Sequence, residues 1–258
     1  MTHLLRAAVG TVQPEIDAAR MVTALTCLLD RYGWQTQTFC YRSARTSEHY
    51  GNYPGGLPCR FLDSWLMSPS LVREYFQYSA GDSEVALVAG RFQPSQEASA
   101  PSGGSLEDLC DWLDLSRLVV LDVKQLVDCR MPPRPPGVAG LLLDAVPHGE
   151  LAHWRTTLES LWGVPVIGSL PMLDATGDGL HSWDPVRSMR GNGEMATAYA
   201  WSLSEELGKL LRFEQLLKLL EGCDLPAASA TFYQPSEKLG GLTVAVAYDE
   251  VFYPGFPR

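Results

Sequence analysis

Short apolar runs alternate along this chain with longer segments whose apolar residues recur at helical spacing. Residues 4–9 form an apolar run of strand type. They are followed by Met21, Leu25, Leu28 and Leu29, which share the three- and four-residue spacing of an amphipathic helix. Because strands that alternate with helices build βαβ units, the pattern predicts an α/β fold with a mostly parallel sheet and helices on both faces.

The same periodicity divides the rest of the chain. It predicts strands at residues 4–9, 34–39, 85–88, 118–122, 138–143, 164–168 and 242–247, and helices at 17–32, 68–78, 105–113, 150–162 and 203–220. Ser68 followed by Pro69, and Ser105 followed by Asp108, are typical helix starts, and Gly163 is a typical helix end. Three stretches, 93–104, 130–137 and 173–192, have no regular period and are predicted to be loops.

Composition narrows the class of protein. With 258 residues, 46% of them hydrophobic and 19% charged, the chain can bury a large α/β core. Its net charge of -10 argues against nucleic acid and anionic membranes as partners. The six cysteines form no CxxC pair, and no apolar run has the length of a signal peptide core or a membrane span. We therefore expect a cytoplasmic protein whose cysteines are small core residues.

The turn after the first strand is the first place to look for a binding site, because ligands of such sheets bind at the carboxyl ends of the strands. A phosphate cradle there needs glycines that expose backbone N–H groups, and a lysine for the outer phosphates. The chain offers one glycine, Gly10, while Pro14 lacks an N–H and Glu15 and Asp17 are negative. We interpret these two acids as complements of a helix dipole.

Four collinear segments carry a resemblance to a known family. Residues 61–67, FLDSWLM, resemble the family pattern N-L-D-x-W-L-M, and residues 163–171, GVPVIGSLP, resemble G-I-P-V-L-G-x-L-P. Residues 137–144, GVAGLLLD, resemble a strand reading G-V-I-L-N, and residues 244–254, VAVAYDEVFYP, resemble V-A-V-A-R-D-E-A-F-x-F-Y-Y-P. In these segments the chain resembles the N-terminal synthetase domain of cobyrinic acid a,c-diamide synthase, a glutamine-dependent amidotransferase of the cobyric acid synthase and dethiobiotin synthetase group. The resemblance implies a P-loop NTPase-like fold.

The chain departs from the family where the family binds Mg·ATP. The family loop G-T-x-S-G-x-G-K-T keeps only Gly10 and Thr11, and its lysine position holds Asp17. Ala89 stands where the family has a metal-binding glutamate, and Glu97 is the one acid left near the expected aspartate. The residues 40–47 replace an acidic family segment. The resemblance thus implies a vestigial nucleotide-binding turn at Gly10, Thr11 and Asp17, with no catalytic residues and no metal ligands.

The resemblance also suggests a domain division and a function. It predicts a synthetase-like α/β domain over residues 1–241, and a strand and tail over 242–258 that resemble the start of a glutaminase domain. The predicted function is a degenerate, non-hydrolysing relative that acts as a binding or interaction module, with no cofactor, for a protein partner, a second copy or a small molecule. The alternative is an active ATP-dependent amide ligase of cobalamin biosynthesis, which would need ATP, Mg²⁺ and ammonia from a glutaminase.

Two residues that match the family are candidates for the substrate side of the site. Asp63 and Trp65 retain the family residue types, and the ordinary alternatives are an aspartate that caps a helix and a tryptophan in the core.

The remaining candidates have simpler interpretations. His148, Glu150 and His153 match the spacing of zinc motifs only loosely, and they suit a solvated helix start better. Arg187, Arg190 and the glycine-flanked Asn192 have the composition of an anion-binding turn but also of an ordinary surface loop. In the tail, Phe252, Tyr253 and Phe256 are predicted to anchor the strand 242–247 on the sheet edge or on a second copy, the alternative being a frayed terminus.

Overall fold

The computed structural model describes residues 4–14, 16, 18–41, 56–81, 83–92, 104–128, 131–172 and 193–222. The strands are β1 (Leu5–Thr11), β2 (Thr36–Cys40), β3 (Gly56–Phe61), β4 (Val85–Arg91), β5 (Ser116–Asp122), β6 (Val138–Val146) and β7 (Val166–Pro171). The helices are α1 (Ala19–Arg31), α2 (Pro69–Ala80), α3 (Leu106–Leu113), α4 (Val123–Asp128), α5 (Leu151–Trp162), α6 (Gly193–Leu210) and α7 (Phe213–Leu220).

The seven strands form one sheet in the order β3-β2-β4-β1-β5-β6-β7, and every neighbouring pair is parallel. The predicted α/β fold with a parallel sheet is confirmed. β1 lies at the centre of the sheet, and α1 begins at Ala19, two residues after Asp17. The turn between them therefore lies at the middle of the carboxyl edge, where open sheets of this kind bind their ligands.

The sheet separates two apolar clusters, and helices cover both faces. One cluster contains the buried residues of α1, α6 and α7, and the other contains those of α2, α3, α4 and α5. β1 contributes side chains to both clusters, because Ala7 and Val9 face the first cluster while Ala8 faces the second. β4 is buried along nearly its whole length, as expected for an inner strand of a parallel sheet.

The helix starts predicted at Ser68 and Ser105 and the helix end predicted at Gly163 are confirmed. The Leu71 N–H donates to Ser68 Oγ at the start of α2, and the Asp108 N–H donates to Ser105 Oγ at the start of α3. Gly163 ends α5 in the left-handed region with φ 65°. Residues 131–137, rich in proline, have no regular secondary structure, as predicted.

The predicted single helix over residues 203–220 is wrong, because the structure contains two helices there. α6 begins earlier, at Gly193, and ends at Leu210, and α7 starts at Phe213. The break has a tertiary cause: the Arg212 N–H donates to Ile167 O of β7 at 2.7 Å instead of bonding within the helix. A side-chain bond from Arg212 Nη1 to Glu159 Oε1, 3.1 Å, holds the same residue against α5.

Two elements were not predicted. β3 is one of the two edge strands and contains Pro58, a residue that strands accept mainly at sheet edges. Gln37 of β2 compensates for the irregular pairing beside this proline, since its Nε2 donates to Pro58 O at 2.9 Å. α4 is a short helix of 6 residues directly after β5.

The predicted strand 242–247, the tail to residue 258, most of the loop 93–104 and the region 173–192 lie outside the described residues. The proposed domain boundary after residue 241 stays a prediction for the same reason. Within the part of the chain that the structure describes, no helix is both long enough and apolar enough to cross a bilayer.

Candidate functional site

The turn that follows β1 is shaped by contacts with the two neighbouring strands. β1 ends at Thr11, paired with Arg91 at the end of β4 on one side and with Val120 of β5 on the other. Gly10 and Thr11 are buried in this position, while Asp17, the third residue of the predicted vestigial site, lies outside the described residues. The structure thus places two of the three predicted residues at the central carboxyl edge.

Arg91 binds the backbone of the turn. Its guanidinium donates from Nη1 to Gln13 O at 3.0 Å and to Pro14 O, and from Nη2 to Ile16 O at 3.1 Å. In a phosphate-binding loop the backbone N–H groups are directed at the anion. Here three carbonyl oxygens are directed at the Arg91 guanidinium. The turn therefore presents the negative ends of these peptide dipoles to the end of β4.

Gln13 fixes the other flank of the turn. Its side-chain Nε2 donates to Asp122 O at 3.0 Å, and its Oε1 accepts the Asp122 N–H at 2.7 Å. This reciprocal pair extends the β1–β5 contact beyond the end of β1 to the last residue of β5. The Gln13 N–H donates to Thr11 Oγ1 at 3.1 Å. The Asp122 carboxylate is itself used to cap α4, because Oδ1 accepts the Gln125 N–H at 3.2 Å.

Packing explains why Gly10 is a glycine. A Cβ at this position would lie 2.8 Å from Leu106 Cδ2 and 2.9 Å from Phe92 Cε2, closer than real Cβ contacts. Its partner in β4, Gly90, is under the ring of Tyr41, where a Cβ would come within 2.4 Å of Cδ1. Apolar side chains therefore fill the space that the two glycines leave at this edge of the sheet.

A second polar cluster lies at the carboxyl ends of β6 and β7. Arg20, in the first turn of α1, forms an ion pair with Asp144 Oδ1 at 2.5 Å and donates from Nη2 to Pro171 O at 2.8 Å. Burial raises the pKa of the nearby Tyr199 hydroxyl; the Arg20 guanidinium opposes this rise and the Asp144 carboxylate adds to it. These contacts attach the start of α1 to the far side of the sheet.

The backbone beside this ion pair is strained. Ala145 has φ 51°, in the left-handed region that a residue with a Cβ rarely adopts, and β6 shifts its register against β7 at this point. The Ala145 N–H donates to Asp144 Oδ1 at 2.7 Å. One carboxylate thus stabilises the unusual turn and neutralises Arg20.

The two predicted substrate-side residues lie in the connection from β3 to α2. Asp63 Oδ1 accepts the N–H groups of Trp65 at 2.9 Å and Leu66 at 3.2 Å, so this carboxylate has the capping role of the ordinary alternative, although it caps a turn ahead of the helix. Trp65 is 67% exposed, so the alternative that it is a core residue is wrong. Ser64 fastens this turn to α3, because its Oγ accepts the Ser105 N–H at 2.8 Å.

The weaker candidates do not gather into a site. His148, Glu150 and His153 are exposed at the start of α5, and Glu150 Oε2 accepts the Trp154 indole N–H at 3.0 Å. Arg187, Arg190 and Asn192 lie outside the described residues. Among the residues described, no three His, Cys, Asp or Glu side chains converge as a metal site.

Sequence reasoning missed the roles of Gln13, Arg20, Arg91 and Asp144. The sequence did contain one signal for Arg91 and Asp144. Arg91 is the last residue of β4 and Asp144 is two residues before the end of β6, so each is a charged residue near the carboxyl end of an otherwise largely apolar strand. The partners of these side chains come from other strands, however, and no local pattern indicates them.

Comparison with known proteins gives one significant relative in sequence. The chain is 24% identical, over 255 residues, to the cobyrinate a,c-diamide synthase of Syntrophotalea carbinolica. The alignment covers 92% of this chain and 53% of the relative, so the chain spans about half the length of the curated relative it matches. No family model matches the chain. The resemblance read from the four collinear segments is confirmed at this level.

Two of the solved structures with similar backbones contain cell division proteins. A chain of the MinC:MinD cell division protein complex of Aquifex aeolicus has a TM-score of 0.47 and 7% identity, covering 87% of this chain and 98% of that one. MinD of Pyrococcus horikoshii with Mg-ADP has a TM-score of 0.43 and 12% identity, covering 84% and 94%. These TM-scores are below 0.5, and the α/β assignment rests on the parallel sheet itself.

Proposed function

We propose that this chain is a relative of the cobyrinic acid a,c-diamide synthase synthetase domain that does not hydrolyse ATP and acts as a binding or interaction module. The observation that carries the proposal is the contact of Arg91 with the carbonyl oxygens of Gln13, Pro14 and Ile16. The N–H groups of the same residues are not offered to an anion: the Gln13 N–H donates to Thr11 Oγ1, the Ile16 N–H donates to Gln13 O, and Pro14 has none.

The residues present do not fit Mg·ATP. The turn has no lysine, Pro14 has no N–H to donate, and Asp17 adds a negative charge in the position of the family lysine. Ala89, in the position of the family's metal-binding glutamate, is fully buried in β4 and has no side-chain oxygen to offer a cation. These residues therefore support no catalytic step that uses ATP.

Calorimetric titration with Mg·ATP tests the proposal. We expect no saturable heat with the wild-type chain at millimolar nucleotide, and no rise in melting temperature. A ligand present at a hundred times its dissociation constant would stabilise the fold by about 2.7 kcal/mol, which thermal denaturation detects easily. Micromolar affinity of the wild-type chain would refute the proposal.

The variant Arg91→Met separates two explanations of a negative result. If the turn lacks usable donors, the variant also fails to bind Mg·ATP. If the variant binds while the wild type does not, Arg91 only occludes an intact nucleotide site, and the proposed loss of the site is wrong.

The second candidate function is an active ATP-dependent amide ligase, favoured by the 24% identity with a cobyrinate a,c-diamide synthase over most of the chain. In this case the chain would amidate a corrinoid carboxylate while it consumes ATP, with ammonia from a glutaminase that is either another chain or a further part of the protein. Incubation with cobyrinic acid, Mg·ATP and ammonium should then give a diamide product by mass spectrometry. We expect none.

A binding or interaction module is expected to associate with a ligand other than ATP. Under this proposal the ligand is a protein partner, a second copy of the chain or a small molecule. Light scattering distinguishes the second copy, since a monomer has a mass of 28.4 kDa.

A further inference from the structure

Two cysteines on neighbouring strands bring their thiols together. The Sγ atoms of Cys40, the last residue of β2, and Cys59, in β3, are 3.5 Å apart. In the parallel register Cys40 is opposite Phe61, so Cys59 is two residues before its partner and its side chain points to the same face of the sheet. Both side chains belong to the apolar cluster covered by α1.

The two sulfur atoms are in contact but not bonded. The bond length of a disulfide is about 2.05 Å, so the two sulfur atoms must approach each other by about 1.5 Å. The strands that carry them are already hydrogen-bonded neighbours, and the Leu62 N–H after β3 donates to Cys40 O at 2.8 Å. Because Cys59 lies diagonally across from Cys40, closing the bond requires both side-chain rotation and a shift of the edge strand β3.

The other two described cysteines lie in two separate helices rather than on neighbouring strands. Cys27 lies in α1 and Cys110 in α3, and burial raises the pKa of each thiol to about 12. These thiols therefore stay protonated and are poor nucleophiles at neutral pH. They offer matched internal controls for any chemistry assigned to the pair.

We propose that Cys40 and Cys59 form a reversible disulfide that fastens the edge strand β3 to β2 when the protein meets a small-molecule disulfide such as oxidised glutathione. The Cys59 thiolate attacks one sulfur of glutathione disulfide and releases one glutathione thiolate. The Cys40 thiolate then attacks Cys59 Sγ and releases the second. Two protein thiols are oxidised to one disulfide, one glutathione disulfide is reduced to two thiols, and the two protons pass to the released thiolates.

The bond would act on a defined part of the fold. β3 is an edge strand, paired on one side only, with β2, so it can detach more easily than an inner strand. Residues 41–58 separate the two cysteines, and the disulfide would close them into a loop. Tyr41, which covers Gly90 at the carboxyl edge, is the first residue of this loop, so oxidation would also restrain the neighbourhood of the candidate site.

The test uses the folded wild-type chain. It is incubated with oxidised glutathione, its free thiols are alkylated, and it is digested for mass spectrometry without reduction. We expect a linked pair of peptides that contains Cys40 and Cys59, alkylated Cys27 and Cys110, and a melting temperature raised by about 6 °C or more. Dithiothreitol should reverse both changes.

Variants sharpen the result. Cys40→Ala and Cys59→Ala should each abolish the linked pair and the rise in melting temperature, whereas Cys110→Ala should retain both. Recovery of Cys40 and Cys59 as alkylated thiols, or as separate glutathione adducts, in the folded wild-type chain would overturn the proposal. So would a link without thermal stabilisation. Peptide mapping of the wild type gives this answer even if a variant fails to fold.

Discussion

Replacing Arg91 by methionine should destabilise the fold by a measurable amount. The substitution keeps a long side chain at the end of β4 and removes the guanidinium that holds the turn after β1. Three carbonyl oxygens, those of Gln13, Pro14 and Ile16, lose their donor. If the turn is organised around this cation, its attachment to β4 must weaken.

The magnitude follows from the three contacts. The bond to Pro14 O is exposed, so water can replace it at little cost. The bonds to Gln13 O and Ile16 O are partly buried and contribute about 1 kcal/mol each. The expected loss is about 2 kcal/mol, which for a chain of this length corresponds to a melting temperature lower by about 4–8 °C.

Urea denaturation followed by circular dichroism measures this loss. Arg91→Lys keeps the charge but not the planar fork, so we expect it to fall between the wild type and Arg91→Met. Arg73→Met is the control: Arg73 Nε donates to one carbonyl oxygen, Trp112 O at 3.0 Å, and its removal should cost about half as much. If Arg91→Met is as stable as the wild type within about 0.5 kcal/mol, the arginine does not organise the turn.

Three further predictions follow from single contacts. Gly90→Ala should cost about 1–3 kcal/mol in urea denaturation, because the new Cβ would lie 2.4 Å from the Tyr41 ring; equal stability would show that the ring moves freely. Asp63→Ala should cost about 1 kcal/mol and Asp63→Asn less, since the amide oxygen can still accept the two backbone N–H bonds; equal losses would contradict the capping role. Above pH 9 the unfolded Cys27 thiol ionises while the folded one, with a pKa of about 12, keeps its proton, so stability should fall by about 1.4 kcal/mol per pH unit up to pH 12. This contribution is unchanged below pH 9 and should be absent in Cys27→Ala; identical slopes for the variant and the wild type would refute it. Cys110 has the same shift and should behave alike.

The elements that sequence predicts well are those whose signals are local. The starts of α2 and α3 were placed correctly because Ser68 and Ser105 bond N–H groups three residues ahead. β1 and α1 were placed correctly because the change from an apolar run to helical spacing is sharp. In contrast, the break between α6 and α7 comes from the bond of the Arg212 N–H to Ile167 O, and these residues are far apart in the sequence.

In the candidate site, too, the features set by local sequence could be predicted and those set by distant residues could not. The position of the turn at the central carboxyl edge could be predicted, since it follows from β1 being an inner strand. The reason for Gly10 could not, because Leu106 and Phe92 reach it from other elements. The partners of Arg91 depend equally on the register that sets the end of β4 beside Thr11. β3 escaped prediction because its segment holds a proline and no β-branched residue.

One sheet shared by two apolar clusters makes the two faces of the molecule unfold together. Ala7 and Val9 of β1 belong to one cluster and Ala8 to the other, so neither face can lose its helices without exposing a strand that the other face needs. The amide hydrogens of β1 and β4 should therefore exchange with solvent only through complete unfolding of the chain. β3, paired on a single side, can detach and exchange at a lower free energy, and the order in which the amides exchange would reproduce the distance of each strand from the centre of the sheet.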